Sequence, residues 1–134
     1  TNINNFFNNA RHHLKPNGLF GFDFWYTDAV NAQKPEIRLM ELKNKNFKLI
    51  RLAEPSKDNS KNTINVNYTV ILKNLKKNLV NVIKESHKMR HFALSDLSRL
   101  CKKHRFQCLH VRQLVSNNKP SKNTWGVFCL IKKY

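Results

Sequence analysis

A turn followed by an apolar strand, within residues 14–26, constrains the fold of this chain more than any other stretch. Pro16 fixes one backbone torsion, and Asn17-Gly18 supplies the residue types that best tolerate a positive φ, so the stretch begins with a tight turn. The run Leu19–Phe24 that follows is apolar on both faces apart from Asp23. Such a strand is typical of the centre of an α/β sheet, where both faces are covered.

An acid and two aromatic residues lie where this strand ends, namely Asp23, Trp25 and Tyr26. In open α/β sheets, ligands bind outside the carboxyl ends of the strands. We therefore predict that these three residues line a substrate-binding crevice. The alternative is that Trp25 and Tyr26 pack the base of the antiparallel strands that follow in the sequence, and that Asp23 only caps the strand.

The patterns on both sides of this strand predict a single α/β domain in three parts. Residues 1–35 form a helix and the central strand. Residues 36–92 form an inserted antiparallel β-meander of four strands, with a polar loop at 55–62, because apolar and polar residues alternate along it. Residues 93–134 form a helix and the last two strands. A length of 134 residues suits one domain with a modest core.

Several stretches resemble class I S-adenosylmethionine (SAM) dependent methyltransferases. Residues 10–20 resemble the helix, the Leu-Lys-Pro-Gly-Gly turn and the start of the fifth strand in that family, with Asn17 in place of the first glycine. Residues 62–70, 85–92 and 123–127 are similar to a bacterial subgroup that includes sugar N-methyltransferases. The resemblance implies the C-terminal half of a Rossmann-like sheet, in which the last strand lies antiparallel beside the fifth.

The resemblance also implies a function, that of the C-terminal portion of a SAM-dependent methyltransferase. Such a transferase methylates a nitrogen or oxygen of a small-molecule acceptor. SAM sites of this fold use a glycine-rich turn and an acid, but this chain has only three glycines and no Gly-x-Gly. We therefore expect SAM in the complete enzyme, no cofactor-binding residue in this fragment, and no activity from it alone. The expected partner is the missing N-terminal half or a second copy, covering an open strand edge.

His87 is the predicted catalytic residue. On a regular strand His87 and Glu85 share one face, whereas Arg90 lies on the other. A histidine beside a carboxylate on a strand that faces a cavity can act as a base or orient an amine or hydroxyl. The alternative is a histidine that forms only a cross-strand hydrogen bond within the meander.

The net charge of +17 leaves a second class of function open. A strongly basic chain attracts nucleic acid and other polyanions. Most aromatics fall in predicted core positions and no RRM or KH signature occurs, so a basic nucleic-acid-binding module is the less favoured alternative. A dimerisation module built on the meander is a third. No stretch has the length of a membrane helix, so we expect no membrane partner.

Cysteine and histidine spacing raises the question of a metal site. Cys101, His104, Cys108 and His110 are residue types that bind zinc, but they lack the close C-x-x-C pairs of structural sites, so we predict no metal. Cys129 completes an odd set of three cysteines. An odd number without such pairs is typical of a reducing compartment, and we expect a cytoplasmic protein.

Overall fold

The computed structural model describes residues 2–58 and 62–134. These residues form the helices α1 (Ile3–His13), α2 (Thr27–Ala32) and α3 (Leu94–Lys103), and the strands β1 (Leu19–Tyr26), β2 (Arg38–Lys43), β3 (Phe47–Asp58), β4 (Thr63–Asn74), β5 (Leu79–Phe92), β6 (Phe106–Gln113) and β7 (Gly126–Lys133). The chain divides into two compact units. We call Thr1–Gln33 with His91–Tyr134 the α/β unit, and Lys34–Arg90 the meander. In the described part of the chain, no helix is long and apolar enough to cross a membrane.

Strand β1 lies inside the sheet of the α/β unit. It pairs antiparallel with β7 along its length, from Leu19 opposite Lys132 to Trp25 opposite Gly126, and β7 pairs antiparallel with β6. The last two residues of β5 pair in parallel with the end of β1, with Trp25 opposite His91. The strand order β2-β3-β4-β5-β1-β7-β6 confirms the predicted mixed α/β sheet, in which the last strand lies antiparallel beside the central one.

The core of the α/β unit lies on one face of this sheet. Its buried cluster joins residues of α1, α3 and the strands: Phe7, Phe24, Tyr26, Ala29, Leu97, Cys101, Phe106, Val127, Cys129 and Ile131. The apolar run predicts that both faces of β1 are buried. The face opposite the core differs from this prediction, because Leu19 is 55% exposed. The reason is that α1 and α3 both add their apolar side chains to the opposite face.

The turn before β1 has the predicted geometry, with one change in the roles of its residues. Asn17, rather than Gly18, takes the positive φ, at 62°. Gly18 is needed for space, since a Cβ there would lie 2.9 Å from the carbonyl oxygen of Lys15. The turn is also fastened to the last strand, because the Asn17 N–H donates to the Lys133 carbonyl at 3.1 Å.

The meander contains the four predicted antiparallel strands, in the order β2-β3-β4-β5. The predicted loop at 55–62 is wrong in its first part, because β3 continues to Asp58. Strand β2 pairs with β3 only up to Ala53, so that edge of β3 is open at Pro55. Proline is tolerated at such an edge because no ladder hydrogen bond is needed there. Residues 59–61 of the predicted loop lie outside the described residues.

Strand β5 is exposed on both faces along most of its length. Val82 and Ile83 point to opposite faces of the meander, and they are 56% and 48% exposed. The alternation of apolar and polar residues predicts that only one face of the meander is exposed to solvent. The difference matters because exposed apolar side chains on both faces of a strand favour contact with another surface.

Candidate functional site

The carboxyl end of β1 holds the first group of predicted site residues. Asp23 is exposed and shares one face of the strand with Trp25. The Trp25 ring is half-buried and meets the Trp125 ring edge-on, with the ring centroids 5.6 Å apart. This face therefore presents a carboxylate beside an aromatic pair, a combination that suits a polar organic ligand with a cationic or hydroxylated group.

Tyr26 lies on the other face of β1, so the structure does not bring it together with Asp23 and Trp25. Its side chain belongs to the core, and its hydroxyl donates a hydrogen bond to the Asp28 carboxylate at 2.7 Å. This hydrogen bond, together with burial, raises the pKa of Tyr26 above its ordinary value. The phenol therefore keeps its proton and acts as a donor, not as a base.

A buried histidine at the same end of the strand was missed in the sequence. His91 is 2% exposed, and its Nδ1 lies 2.9 Å from the Thr27 hydroxyl oxygen. It lies directly opposite Trp25 in the parallel pairing of β5 with β1. The sequence pattern predicts that the strand containing His91 ends at about this residue. Only the pairing of β5 with β1 reveals that this end lies beside Trp25.

The meander holds the second group, around the predicted catalytic histidine. His87 Nε2 lies 3.0 Å from Glu85 Oε2, and both side chains are about half exposed. The Tyr68 ring meets the imidazole edge-on at 5.4 Å between centroids, and the Arg51 guanidinium lies over that ring at 5.6 Å. A carboxylate on Nε2 orients the imidazole and leaves Nδ1 to accept a proton.

Arg90 does not join this group. His87 pairs with Val66 and Arg90 pairs with Thr63, so the two side chains emerge on opposite faces of β5, as the alternation predicts. One face of the meander therefore presents His87, Glu85, Tyr68 and Arg51, and Arg90 lies on the other.

The cysteines and histidines considered for zinc do not converge. Among residues 2–58 and 62–134, no three His, Cys, Asp or Glu side chains are arranged to hold a metal ion. His104 is bonded instead to two asparagine side chains of α1, with Nδ1 2.9 Å from Asn8 Oδ1 and Nε2 3.1 Å from Asn4 Oδ1. Its ring also stacks on Phe7 at 5.4 Å between centroids.

The chain's residues do not fit a SAM site of the usual form. Its three glycines are Gly18, Gly21 and Gly126, which belong to a turn and two strands, and no two of them form a Gly-x-Gly. None of them has a positive φ. The glycine-rich turn through which this fold approaches SAM therefore has no counterpart in this chain.

The solved structures that resemble this chain share one fold, although the sequence itself matches no protein-family model and has no match among curated proteins. A SAM-dependent methyltransferase from Clostridium acetobutylicum has a similar structure (TM-score 0.78, 18% identity, covering 98% of this chain and 50% of that one). So does the sugar N-methyltransferase KedS8 from Streptoalloteichus (0.71, 10%, 98% and 49%). A third is CalS10, an amino pentose methyltransferase from Micromonospora echinaspora solved with SAM bound (0.65, 6%, 92% and 47%).

The share of each chain that is covered shows how much of a methyltransferase this chain corresponds to. Each covers more than nine-tenths of this chain and about half of the solved methyltransferase. Both the α/β unit and the meander therefore have counterparts in one kind of protein. The chain has the fold of SAM-dependent methyltransferases, and it spans about half their length.

Proposed function

We propose that this chain is the C-terminal portion of a SAM-dependent methyltransferase that methylates a nitrogen or oxygen of a small molecule. The observation that carries the proposal is the likeness of nearly the whole chain to one half of several such enzymes. The C-terminal half is inferred from the antiparallel β7 beside β1. In this family the last strand lies in the same place relative to the fifth, as the sequence resemblance implies.

The acceptor is proposed to be an amino sugar or a related small molecule. Two of the similar structures are enzymes for a sugar and an amino pentose. A carboxylate and an aromatic pair suit such an acceptor, because Asp23 can hold an ammonium or hydroxyl group while Trp25 contacts the ring. Tyr26 is left out of this proposed acceptor site, because it lies in the core on the other face of β1 with its hydroxyl bonded to Asp28.

His87 is proposed as the base that prepares the acceptor. A protonated amine has no lone pair for attack on a methyl group, so a proton must be removed before transfer. With Glu85 bonded to Nε2, the free Nδ1 of His87 accepts that proton. The neighbouring Tyr68 and Arg51 limit the orientations of the imidazole ring.

The partner is proposed to be the N-terminal half, as an upstream segment or a separate chain. On the side away from β7, the described residues pair with β1 only at Trp25 and Tyr26, which leaves the edge of Leu19–Phe24 open. A parallel strand of the other half would cover this edge. A second copy of the chain, docked on the exposed strand β5, is the alternative.

A complementation experiment tests the proposal. SAM is titrated calorimetrically into this chain alone, and then into its mixture with the N-terminal half of the Clostridium acetobutylicum enzyme. We expect no binding by the chain alone and binding by the mixture, because the cofactor residues come from the added half. The matched control is the same N-terminal half mixed with its own C-terminal half.

Two results would count against the proposal. SAM binding by this chain alone would mean that it has a cofactor site of another kind. Binding in the control mixture, but not in the mixture with this chain, would mean that the chain does not act as the complementary half. When binding is restored, methyl transfer to a panel of amino sugars identifies the acceptor class.

A basic polyanion-binding function is the second candidate, and one observation favours it. The Leu75 N–H donates to the Asn46 carbonyl at 2.7 Å, which ties together the turns that join β2 to β3 and β4 to β5. Lysines collect in or beside these turns: Lys43, Lys45, Lys48, Lys73, Lys76 and Lys77. Strongly salt-dependent binding of single-stranded RNA, weakened by Lys76→Glu but not by Lys119→Glu, would support this function.

The three thiols support a reducing location. Cys101, Cys108 and Cys129 are all free. We infer a cytoplasmic protein on this basis, because proteins of oxidising compartments usually have their cysteines paired. Labelling of the thiols in intact cells, compared with labelling after lysis, would test that inference.

A further inference from the structure

Two of the three thiols touch each other across adjacent strands. Cys108 Sγ on β6 lies 3.8 Å from Cys129 Sγ on β7. We propose that Cys108 and Cys129 form a reversible disulfide-bonding site, which a small-molecule disulfide such as oxidised glutathione closes. This inference is independent of the proposed methyltransferase function.

The strand pairing explains why the thiols meet although they are not directly opposite each other. Cys108 pairs with Ile131 and Cys129 pairs with Val111, so the two cysteines are diagonal neighbours on one face of the sheet. The register shifts between Cys108 and His110, where β6 has an irregularity. A disulfide requires the two Cβ atoms to be about 3.5–4.5 Å apart. The sulfur atoms are already in contact, but side-chain rotation does not move the Cβ atoms, so closing the bond also needs a backbone adjustment beside the irregularity in β6.

The two sulfur atoms differ in accessibility. Cys108 is exposed on β6, the last strand at that end of the sheet, whereas Cys129 is fully buried. An oxidant from solution therefore reaches Cys108 first. Burial, together with the neighbouring Cys108, raises the pKa of the Cys129 thiol well above its usual range. Cys129 is therefore shielded from the oxidant and takes part only in the second step, in which it must lose its proton and attack the sulfur beside it.

The reaction balances as two successive exchanges. The Cys108 thiolate attacks one sulfur of oxidised glutathione, the sulfur–sulfur bond of glutathione breaks, and one glutathione leaves as a thiolate that takes a proton. Cys129 then loses its proton and attacks the Cys108 sulfur, and the second glutathione leaves. The two protein thiols are oxidised to one disulfide, and one oxidised glutathione is reduced to two glutathione molecules.

The third cysteine provides an internal comparison. Cys101 on α3 is buried like Cys129, at 2% exposed. Burial raises the pKa of Cys101 to about 11. It belongs to the same hydrophobic cluster as Cys129. Cys129 and Cys101 are both buried cysteines. The sulfur contact with Cys108 therefore distinguishes Cys129, the proposed partner, from Cys101.

The test is oxidation of the full chain with oxidised glutathione, quenched with acid and analysed by thiol counting and mass spectrometry. We expect the number of free thiols to fall from three to one, with the loss of two hydrogen atoms in mass. Proteolysis should release a peptide that links Cys108 to Cys129. Formation of the disulfide should be faster at higher pH, because Cys129 must lose its proton in the second step.

Three variants make the result decisive. Cys101→Ala removes a buried thiol outside the pair and should still form the disulfide. Cys108→Ala changes an exposed side chain, keeps the core intact, and should prevent the reaction. Cys129→Ala should stop at the mixed disulfide with glutathione on Cys108.

Two outcomes would overturn the proposal. One is accumulation of the mixed disulfide on Cys108 in the unaltered chain, to the same extent as in Cys129→Ala. The other is a linked peptide that contains Cys101.

Discussion

The ammonium group of Lys133 lies 2.7 Å from the carbonyl oxygen of Leu14, at the C-terminal end of α1. A second hydrogen bond from the same group reaches the Arg11 carbonyl at 2.8 Å. The last carbonyls of a helix lack partners within the helix, and the helix dipole makes that end negative. Lys133 therefore joins the last strand of the chain to its first helix and neutralises the end of that helix.

We predict that Lys133→Met lowers the free energy of unfolding by roughly 1–2 kcal/mol, since it removes charged hydrogen bonds to two carbonyls. Methionine retains most of the aliphatic stem, so the loss reports on the ammonium group. The measurement is urea unfolding followed by tryptophan fluorescence. Lys132→Met, one residue earlier on the opposite face of β7, is the matched control and should cost less. Equal effects of the two substitutions would contradict the assigned role.

Glycine at position 18 is required by space rather than by φ. An added Cβ would meet the Lys15 carbonyl oxygen at 2.9 Å and the Leu14 Cβ at 3.2 Å. Because the nearest atom belongs to the backbone, it cannot move aside cheaply. We predict that Gly18→Ala lowers the free energy of unfolding by roughly 1–3 kcal/mol, the usual range for overpacking.

Gly126→Ala is the control for that prediction. A Cβ at position 126 would meet only the Leu114 side chain, at 3.3 Å. Leu114 is 46% exposed and can rotate away. We expect this change to cost less than about 1 kcal/mol. Thermal or urea unfolding of the two variants checks the difference, and a larger effect at Gly126 would refute the argument.

Local patterns were sufficient to predict most elements of the fold. The turn at Asn17 and the alternation in β4 follow from residue type and from the two-residue period of strands. The continuation of β3 through Pro55 could not be predicted, because it depends on where β2 stops pairing with β3. Local sequence does not contain that information, and on its own Pro55 predicts the start of a loop.

The candidate site was predictable only in part, for the same reason. His87 and Glu85 are two residues apart, so their proximity follows from the strand period alone. His91 and Thr27 are 64 positions apart, and Cys108 and Cys129 are 21 apart. These contacts depend on sheet register, which the sequence does not reveal. The roles of Asp23 and Trp25 in acceptor binding, and of His87 as a base, remain predictions.

His104 gives the protein a pH-dependent contact between α1 and α3. Burial, with a smaller effect of Lys103, lowers the pKa of His104 below its ordinary value. The two ring nitrogens face the Asn8 and Asn4 side-chain oxygens, and a neutral imidazole, with one N–H, donates to only one of them. The folded state nevertheless favours the neutral ring, because burial disfavours the charged form.

The sign of the resulting pH effect follows from linkage. The unfolded chain binds a proton on His104 more readily than the folded chain does, so stability rises with pH. The contribution is complete above about pH 6.5, the ordinary histidine pKa, and is lost as the pH falls through the lower folded value. We predict that His104→Gln reduces this acid loss of stability, whereas His12→Gln, at an exposed position on α1, does not. Urea unfolding as a function of pH measures both variants.

His87 is the residue through which the proposed chemistry can be tested directly. In the complemented enzyme, His87→Asn removes the nitrogen that accepts the proton and should lower kcat by roughly 10²–10⁴-fold, the usual contribution of a general base. Because the side chain is about half exposed, the fold and SAM binding should be unchanged. His110→Asn, at another exposed strand position, is the matched control.

The pH profile separates a base from a residue that only supports the meander. If His87 accepts the proton, His87→Asn should lose the part of the acidic limb that His87 causes, and the pH dependence that remains should follow deprotonation of the acceptor. Glu85→Gln should keep the limb but lower kcat, because it removes the carboxylate that orients the ring. A His87→Asn enzyme with an unchanged kcat and an unchanged acidic limb would exclude His87 as the base.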